Sequence, residues 1–181
     1  MKNLLVSGLP RCGKTTLIKQ LSENQSLSHR FAGFITEEIR EKGERIGFKI
    51  ISIPDKKEGV LAQKGFSSPY RVGSYGVNIF DLEKIGVSSV EIGLVTDKVI
   101  IIDEIGKMEL FSEKFKNVLF KALDSPQKVL ATIMERSHRF ADMIKERKDV
   151  RLIHLSRDNF QDIFREVQNW LMKDSDDKTH G

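Results

Sequence analysis

The stretch GLPRCGKTT at residues 8–16 constrains the fold of this chain more than any other part of the sequence. Its spacing of glycine and lysine matches a loop that works only between the end of a buried strand and the start of a helix. Residues 3–7, NLLVS, are apolar enough for that strand, and apolar residues recur at helical spacing from Lys14 to about Glu23. The sequence therefore predicts a strand, a glycine-rich turn and a helix, the first unit of an α/β fold.

The same loop predicts a phosphate site. Glycines allow backbone N–H groups to surround phosphate oxygens, and the positive end of the following helix adds to the attraction. Lys14 is expected to reach the β- and γ-phosphates of a nucleotide, and the Thr15 hydroxyl is expected to be a ligand of Mg²⁺. The predicted nucleotide-binding residues of this loop are Gly8, Leu9, Pro10, Arg11, Cys12, Gly13, Lys14, Thr15 and Thr16.

A second motif, KVIIIDEIGKMEL, is an apolar strand that ends in two acids. A strand without alternation is buried on both faces, as in a parallel sheet, and it delivers Asp103 to the carboxyl edge, where Asp103 would hold Mg²⁺. Glu104 could then orient or deprotonate a water that attacks the γ-phosphate, whereas the alternative is an ion pair with Lys107. The predicted nucleotide-binding residues of this motif are Val99, Ile100, Ile101, Ile102, Asp103, Glu104, Ile105 and Gly106.

The remaining sequence alternates between strand and helix patterns. Strands are predicted at about 31–40, 45–53 and 59–63, the last two as an added antiparallel hairpin, and then at 128–133 and 150–155. Residues 64–80, rich in Gly and Ser, are predicted to be a loop. Helices are predicted near 88–95 from the capping-box spacing of Ser88 and Glu91, after Ser112, near 138–147, and from Asp158. This order predicts a three-layer α/β sandwich with a mainly parallel sheet, forming one domain at 1–172, and a disordered tail at 173–181.

Composition narrows the partners and the compartment. The net charge is +4 and no run of five basic residues occurs, which favours a small polyanionic ligand over nucleic acid. The single cysteine, Cys12, excludes a disulfide framework within the chain and favours a reducing compartment, and the four histidines lack metal-ligand spacing. No apolar run reaches membrane length. We therefore expect a cytoplasmic protein without a membrane partner.

Several stretches together resemble the THEP1-type nucleoside-triphosphatases of the P-loop superfamily, from about residue 1 to residue 172. They are the phosphate loop, GFITEEIREKGERIGFKI, VGSYGVN and IIIDEIGKMEL. The resemblance implies a RecA-like or AAA-related P-loop NTPase core and slow, Mg²⁺-dependent hydrolysis of several nucleoside triphosphates to the diphosphate and phosphate. The sequence departs from the usual family pattern at Arg11 and Cys12, and at Met134, where a proline is common.

The core type implied by this resemblance places one strand between the phosphate-loop strand and the Asp103 strand. The strand at 128–133 is the candidate, and its Thr132 would face the γ-phosphate as a sensor of the attacking water, or else be a buried, satisfied threonine. Fast hydrolysis also requires an arginine that stabilises the developing charge. Arg136, Arg139 and Arg147 are available, and Arg136 is the first choice because it closely follows this strand.

Two further groups have alternative interpretations. Thr36, Glu37 and Glu38 lie on a predicted strand, so at most one of the two glutamates faces the site, and strand pairing with Arg40 and Arg45 is the simpler account. Tyr75 could stack on a base or pack on the core.

Three functions fit these motifs. The first is broad hydrolysis of nucleoside triphosphates, which Glu104 and the family resemblance support. The second is a small-molecule or nucleotide kinase with the arginine-rich stretch 136–151 as a lid. The third is a nucleotide-dependent, RNA-associated switch.

Overall fold

The computed structural model describes residues 1–173, so the predicted tail lies outside the described residues apart from Lys173. One nine-stranded sheet has the order β5-β6-β4-β3-β2-β7-β8-β1-β9. The strands are β1 (Asn3–Ser7), β2 (Phe31–Glu41), β3 (Glu44–Ile53), β4 (Glu58–Lys64), β5 (Arg71–Val72), β6 (Tyr75–Val77), β7 (Val99–Ile105), β8 (Val129–Ile133) and β9 (Val150–His154).

Five neighbouring strands, β2, β7, β8, β1 and β9, are parallel. Their carboxyl ends meet at one edge of the sheet, so the loop after β1 and the acids of β7 lie at the same edge. β8 lies between β1 and β7, which confirms the predicted strand order. The backbone after β8 is also fixed, since the Met134 N–H donates to the Ile105 carbonyl at 3.1 Å.

The other four strands form an antiparallel extension. β2 belongs to both halves of the sheet, because it pairs parallel to β7 on one side and antiparallel to β3 on the other. The prediction of a loop over the whole of 64–80 was wrong, since β5 and β6 form a small hairpin within it and β6 pairs with β4. These strands are too short to produce a readable alternation, and the edge of β4 supplies the hydrogen bonds that order them.

Helices cover both faces of the sheet and complete the predicted sandwich. Residues of α1 and α6 share one apolar cluster with one face, and the other helices pack mainly on the opposite face. No helix among residues 1–173 is long and apolar enough to span a membrane. The helices are α1 (Lys14–Ser22), α2 (Ile79–Asp81), a π-helical turn (Leu82–Val87), α3 (Ser88–Leu94), α4 (Glu113–Asp124), α5 (Arg139–Lys145) and α6 (Phe160–Met172).

The helix predicted near 88–95 is confirmed as α3, but the predicted capping role of Ser88 is wrong. The helical run that contains Ser88 begins at Ile79, and the Asn78 side chain accepts from the Asp81 N–H, so Ser88 lies inside the run and caps nothing. A spacing of three residues also occurs within a helix, so the pattern alone could not tell a cap from an interior position. The last helix begins at Phe160, two residues later than predicted. By contrast, Ser112 caps α4 as predicted, accepting from the Phe115 N–H at 3.0 Å.

Candidate active site

The phosphate loop joins β1 to α1 as the sequence predicts. Gly8 has φ 156°, and a side chain there would meet the Leu155 carbonyl oxygen at 2.4 Å, so the loop requires glycine at this position. The Arg11 side chain is exposed, and Cys12 packs, partly buried, against the apolar cluster that includes α1 and α6. The two departures within the loop, Arg11 and Cys12, are therefore compatible with its backbone.

Lys14 is buried and lies across the loop. Its Nζ donates to the carbonyl oxygens of Gly8 at 2.7 Å and of Leu9 at 3.3 Å. The same Nζ is 4.0 Å from Oε2 of Glu104. Lys14 thus joins the phosphate loop to the end of β7 electrostatically, at the place where a γ-phosphate would carry its charge.

Asp103 is completely buried and is held by three threonines from three different elements. Its Oδ1 accepts from the hydroxyls of Thr132 at 2.6 Å and Thr15 at 3.2 Å. Its Oδ2 accepts from the hydroxyl of Thr36 at 3.2 Å and from the Thr36 N–H at 3.4 Å. Burial raises the pKa of Asp103, and the hydrogen bonds from the threonines oppose that rise. The carboxyl group is therefore fixed in direction from α1, β8 and β2.

Glu104 lies next to Asp103 and is partly open to solvent, with 31% of its side chain exposed. Burial raises the pKa of Glu104; the Lys14 ammonium opposes this effect and the Asp103 carboxyl adds to it. The alternative ion pair with Lys107 is not formed: among the described residues, the ion-pair partner of Glu104 is Lys14, at 4.0 Å. A carboxyl group with a raised pKa beside a phosphate loop is suited to accept a proton.

Glu109 is an acid of this site that the sequence reasoning missed. It begins a short 3₁₀ helix, Glu109–Phe111, and only 5% of the residue is exposed. A Cβ on Gly106 would lie 3.0 Å from Oε2 of Glu109 and equally 3.0 Å from Oε1 of Glu104, so both carboxyl groups lie close to this glycine. The only sequence signal was the acid five positions after Glu104 in DEIGKMEL, and spacing alone does not show that the turn folds back.

The structure separates the three polar residues of β2. Thr36 reaches Asp103, whereas Glu37 pairs with Lys19 and Lys49, and Glu38 pairs with Arg40 and Arg45. Neither glutamate therefore points at Asp103, and the strand-pairing account holds for Glu38.

Tyr75 packs rather than presenting a free ring. Its hydroxyl accepts from Nε of Arg45 at 3.1 Å, and its ring meets Phe48 edge to face with 5.6 Å between centroids. These contacts favour the packing interpretation over base stacking.

The three candidate arginines differ in position. Arg136 is exposed just beyond the carboxyl end of β8, and Arg139 is exposed at the start of α5. Arg147 forms ion pairs with Asp124 and Asp149, and Asp149 in turn accepts from Asn3 at the amino end of β1. Arg147 therefore lies at the edge of the sheet opposite Asp103 and is not a candidate.

The donor atoms around Asp103 fit a magnesium ion shared with a phosphate. Mg²⁺ prefers oxygen ligands and is usually bound through one or two carboxylates together with substrate phosphates and water. The Asp103 carboxylate and the Thr15 hydroxyl are such donors, at the carboxyl edge beside the phosphate loop. Within residues 1–173, no group of three or more His, Cys, Asp or Glu side chains could hold a metal without a substrate.

Substitutions of Thr36 can measure how much the hydrogen bonds to Asp103 contribute to kcat. We expect Thr36→Val to lower kcat by roughly 3- to 10-fold, because it removes one hydroxyl donor and keeps the shape of the side chain. The matched control is Thr36→Ser, which restores the hydroxyl and should restore most of kcat. Equal rates for the valine variant and the parent would show that Thr36 does not hold Asp103 in the working enzyme.

The phosphate loop after β1 ends in lysine and threonine, and two acids lie at the end of β7, two strands away in the sheet. These features define a P-loop protein that binds nucleoside triphosphates. Within this class, the chain belongs to the NTPase family, whose model matches residues 3–168.

Individual relatives agree with this assignment. The chain is similar to "Nucleoside-triphosphatase THEP1" of Thermotoga sp. (strain RQ2), with 49% identity over 93% of this chain and 94% of the relative. It is also similar to the crystal structure of THEP1 from Aquifex aeolicus, with a TM-score of 0.85 and 38% identity over 93% of this chain and 98% of that one. The solution structure of a human cancer-related nucleoside triphosphatase matches with a TM-score of 0.81 and 30% identity, over 96% of this chain and 98% of that one.

Proposed function

We propose that this nucleoside-triphosphatase hydrolyses several nucleoside 5′-triphosphates to the diphosphate and phosphate, with Mg²⁺ as cofactor and Glu104 as the base that activates water. The observation that carries this proposal is the position of Glu104, one residue beyond the buried Asp103 and 4.0 Å from the ammonium of Lys14. A carboxylate at this place can accept a proton from water, whereas a kinase uses an acceptor oxygen from its substrate and has less need of such a base.

In the proposed mechanism the loop from Gly8 to Thr15 binds the phosphates through backbone N–H groups. The Lys14 ammonium exchanges its bonds to the loop carbonyls for bonds to the β- and γ-phosphate oxygens. Asp103 and Thr15 would hold Mg²⁺, which when bound neutralises charge on the β- and γ-phosphate oxygens.

Glu104 then takes a proton from water while the water oxygen bonds to the γ-phosphorus. The bond from the γ-phosphorus to the bridging oxygen of the diphosphate breaks, and the proton on Glu104 leaves through its exposed side. Thr132 supports this step by holding Asp103, in addition to its proposed contact with the attacking water. The exposed Arg136 is proposed to reach the charge that develops on the γ-phosphate.

Broad base acceptance is proposed because the relatives are named as nucleoside-triphosphatases, without reference to one base. The charge distribution supports a small polyanion rather than nucleic acid as the partner, and a single partly buried cysteine supports a cytoplasmic location.

Phosphate release tests the proposed reaction. We expect ATP with Mg²⁺ to release phosphate without any other partner, and EDTA in excess over the metal to stop the release. GTP, CTP and UTP should be hydrolysed with kcat/KM values within roughly tenfold of that for ATP, because small differences in contact energy change rates by no more than this. Transfer of the γ-phosphoryl group to a second nucleoside, with little release of phosphate, would indicate a kinase, and release that required RNA would indicate a switch. Either result would contradict the proposal.

A further inference from the structure

The Glu109 carboxyl group has no counter-charge in the described part of the chain. No lysine or arginine of residues 1–173 forms an ion pair with it, and the backbone N–H groups of Gly106 and of Glu109 itself are its favourable partners. The turn that places it there is closed by a hydrogen bond from the Leu110 N–H to the Gly106 carbonyl at 3.0 Å. Burial without a counter-charge favours the neutral form of a carboxyl group, and the neutral form has one O–H to donate.

The neighbour that could accept this proton is Glu104. Both Oε1 of Glu104 and Oε2 of Glu109 lie 3.0 Å from the point where a Gly106 Cβ would stand, so the two oxygens are at most twice that distance apart. The terminal torsion of a glutamate is soft, and rotation of either carboxyl group can narrow this gap. The other oxygen of Glu104 faces Lys14, so the carboxylate lies between a cation and a neutral acid.

Nucleotide binding changes which neighbour of Glu104, Lys14 or Glu109, can hold the Glu104 carboxylate in place. Lys14 is expected to turn to the phosphates, and its distance of 4.0 Å from Glu104 is already longer than a hydrogen bond. Glu109 then remains as the group that can fix the direction of the Glu104 carboxylate. Burial raises the pKa of the Glu109 carboxyl well above its usual range, and repulsion from Glu104 adds to this effect, which agrees with a neutral donor.

We propose that Glu109 is a positioning residue for Glu104: its carboxylic O–H donates to the Glu104 carboxylate and keeps that carboxylate directed at the attacking water. This inference rests on the proposed role of Glu104 as the base. It also gives a reason for the glycine at 106, since any side chain there would stand between the two acids.

Two substitutions of Glu109 test the donor. Glu109→Gln keeps an N–H donor of similar reach, and Glu109→Met keeps the volume without a donor. We expect the methionine variant to lower kcat for ATP by about tenfold with KM within about twofold, as for a lost hydrogen bond to a charged group. The glutamine variant should recover kcat to within about threefold of the parent. Equal kcat values for the parent and both variants would overturn the proposal.

A double-mutant comparison separates positioning from a general loss of structure. In single turnovers, Glu109→Met should have no further effect once Glu104→Gln is present, because the group that it positions is already lost. An undiminished effect in that background would show that Glu109 acts through the fold alone. The Glu104→Gln variant by itself tests the proposed function, so the two hypotheses fail separately.

Gly106→Ala provides the second variant in case the methionine protein does not fold. The added methyl group meets oxygens at the flexible ends of two side chains, so the fold can accept it, but it separates the two carboxyl groups. We expect a fall in kcat similar to that of Glu109→Met, with nucleotide binding retained. An unchanged kcat in a folded Gly106→Ala protein would overturn the proposal.

Discussion

Replacing Glu104 by glutamine should lower kcat by at least about 100-fold and leave the affinity for the nucleotide nearly unchanged. Loss of a general base typically lowers kcat by roughly 10²- to 10⁴-fold. The amide has almost the same shape as the acid and cannot accept the proton of water. Phosphate contacts come from the loop and Lys14, which the substitution leaves in place. Phosphate release measures the first effect, and the Kd of a fluorescent ATP analogue measures the second.

The matched control is Glu91→Gln, the same chemical change on the exposed surface of α3. It should leave both kcat and the nucleotide affinity at the parent values. If Glu104→Gln hydrolyses ATP as fast as the parent, either another group is the base or the attacking water needs no base. If it loses affinity and rate together, Glu104 contributes to nucleotide binding rather than to the chemical step.

Lys14→Ala should abolish measurable hydrolysis, with a fall in kcat/KM on the order of 10³-fold or more, because the lysine contributes its charge where the γ-phosphate gains negative charge. Unlike the change at Glu104, this substitution should also weaken nucleotide binding. It further leaves the carbonyl oxygens of Gly8 and Leu9 without their side-chain donor. Hydrolysis assays and nucleotide titration together distinguish this outcome from loss of the base.

Cys12→Ala is the control within the same loop. Its side chain packs against the core on the α1 and α6 side, so we expect kcat to stay within about twofold of the parent, because the substitution removes packing and no phosphate contact. Activity lost in a folded Cys12→Ala protein would mean that this side chain takes part in the nucleotide site. Circular dichroism melts of both loop variants would show whether either effect arises from unfolding.

Sequence patterns predicted the parallel half of the sheet well because local signals specify it. The apolar run at β7 and the glycine-rich turn after β1 are readable without knowledge of distant contacts. The position of β8 between them came instead from the family resemblance, and it is confirmed. The side-chain contacts within the site, such as that between Thr15 and Asp103, depend on strand order as well as on motif.

Two features that the sequence did not predict, the contact of Thr36 with Asp103 and the place of Glu109, depend on contacts that no local period encodes. Thr36 reaches Asp103 because β2 pairs with β7 in the register Phe34 to Ile102, which the alternation of β2 by itself does not give. Glu109 is brought back to Glu104 by a short 3₁₀ turn, and such turns are too brief to leave a periodic signal. Burial of an acid is also a property of the assembled core rather than of the residue, so its functional position appears only in three dimensions.

Strand β2 belongs to both the parallel and the antiparallel half of the sheet, and these two halves should differ in how well they tolerate substitutions. Among the described residues of the antiparallel half, only Thr36, on the shared strand, forms hydrogen bonds with the buried Asp103 carboxyl group. The small outer hairpin of β5 and β6 is separated from β2 by the two strands β4 and β3, and β2 in turn is the neighbour of β7. Insertions or new side chains on that outer hairpin can therefore remodel the surface of the protein while the chemistry stays intact.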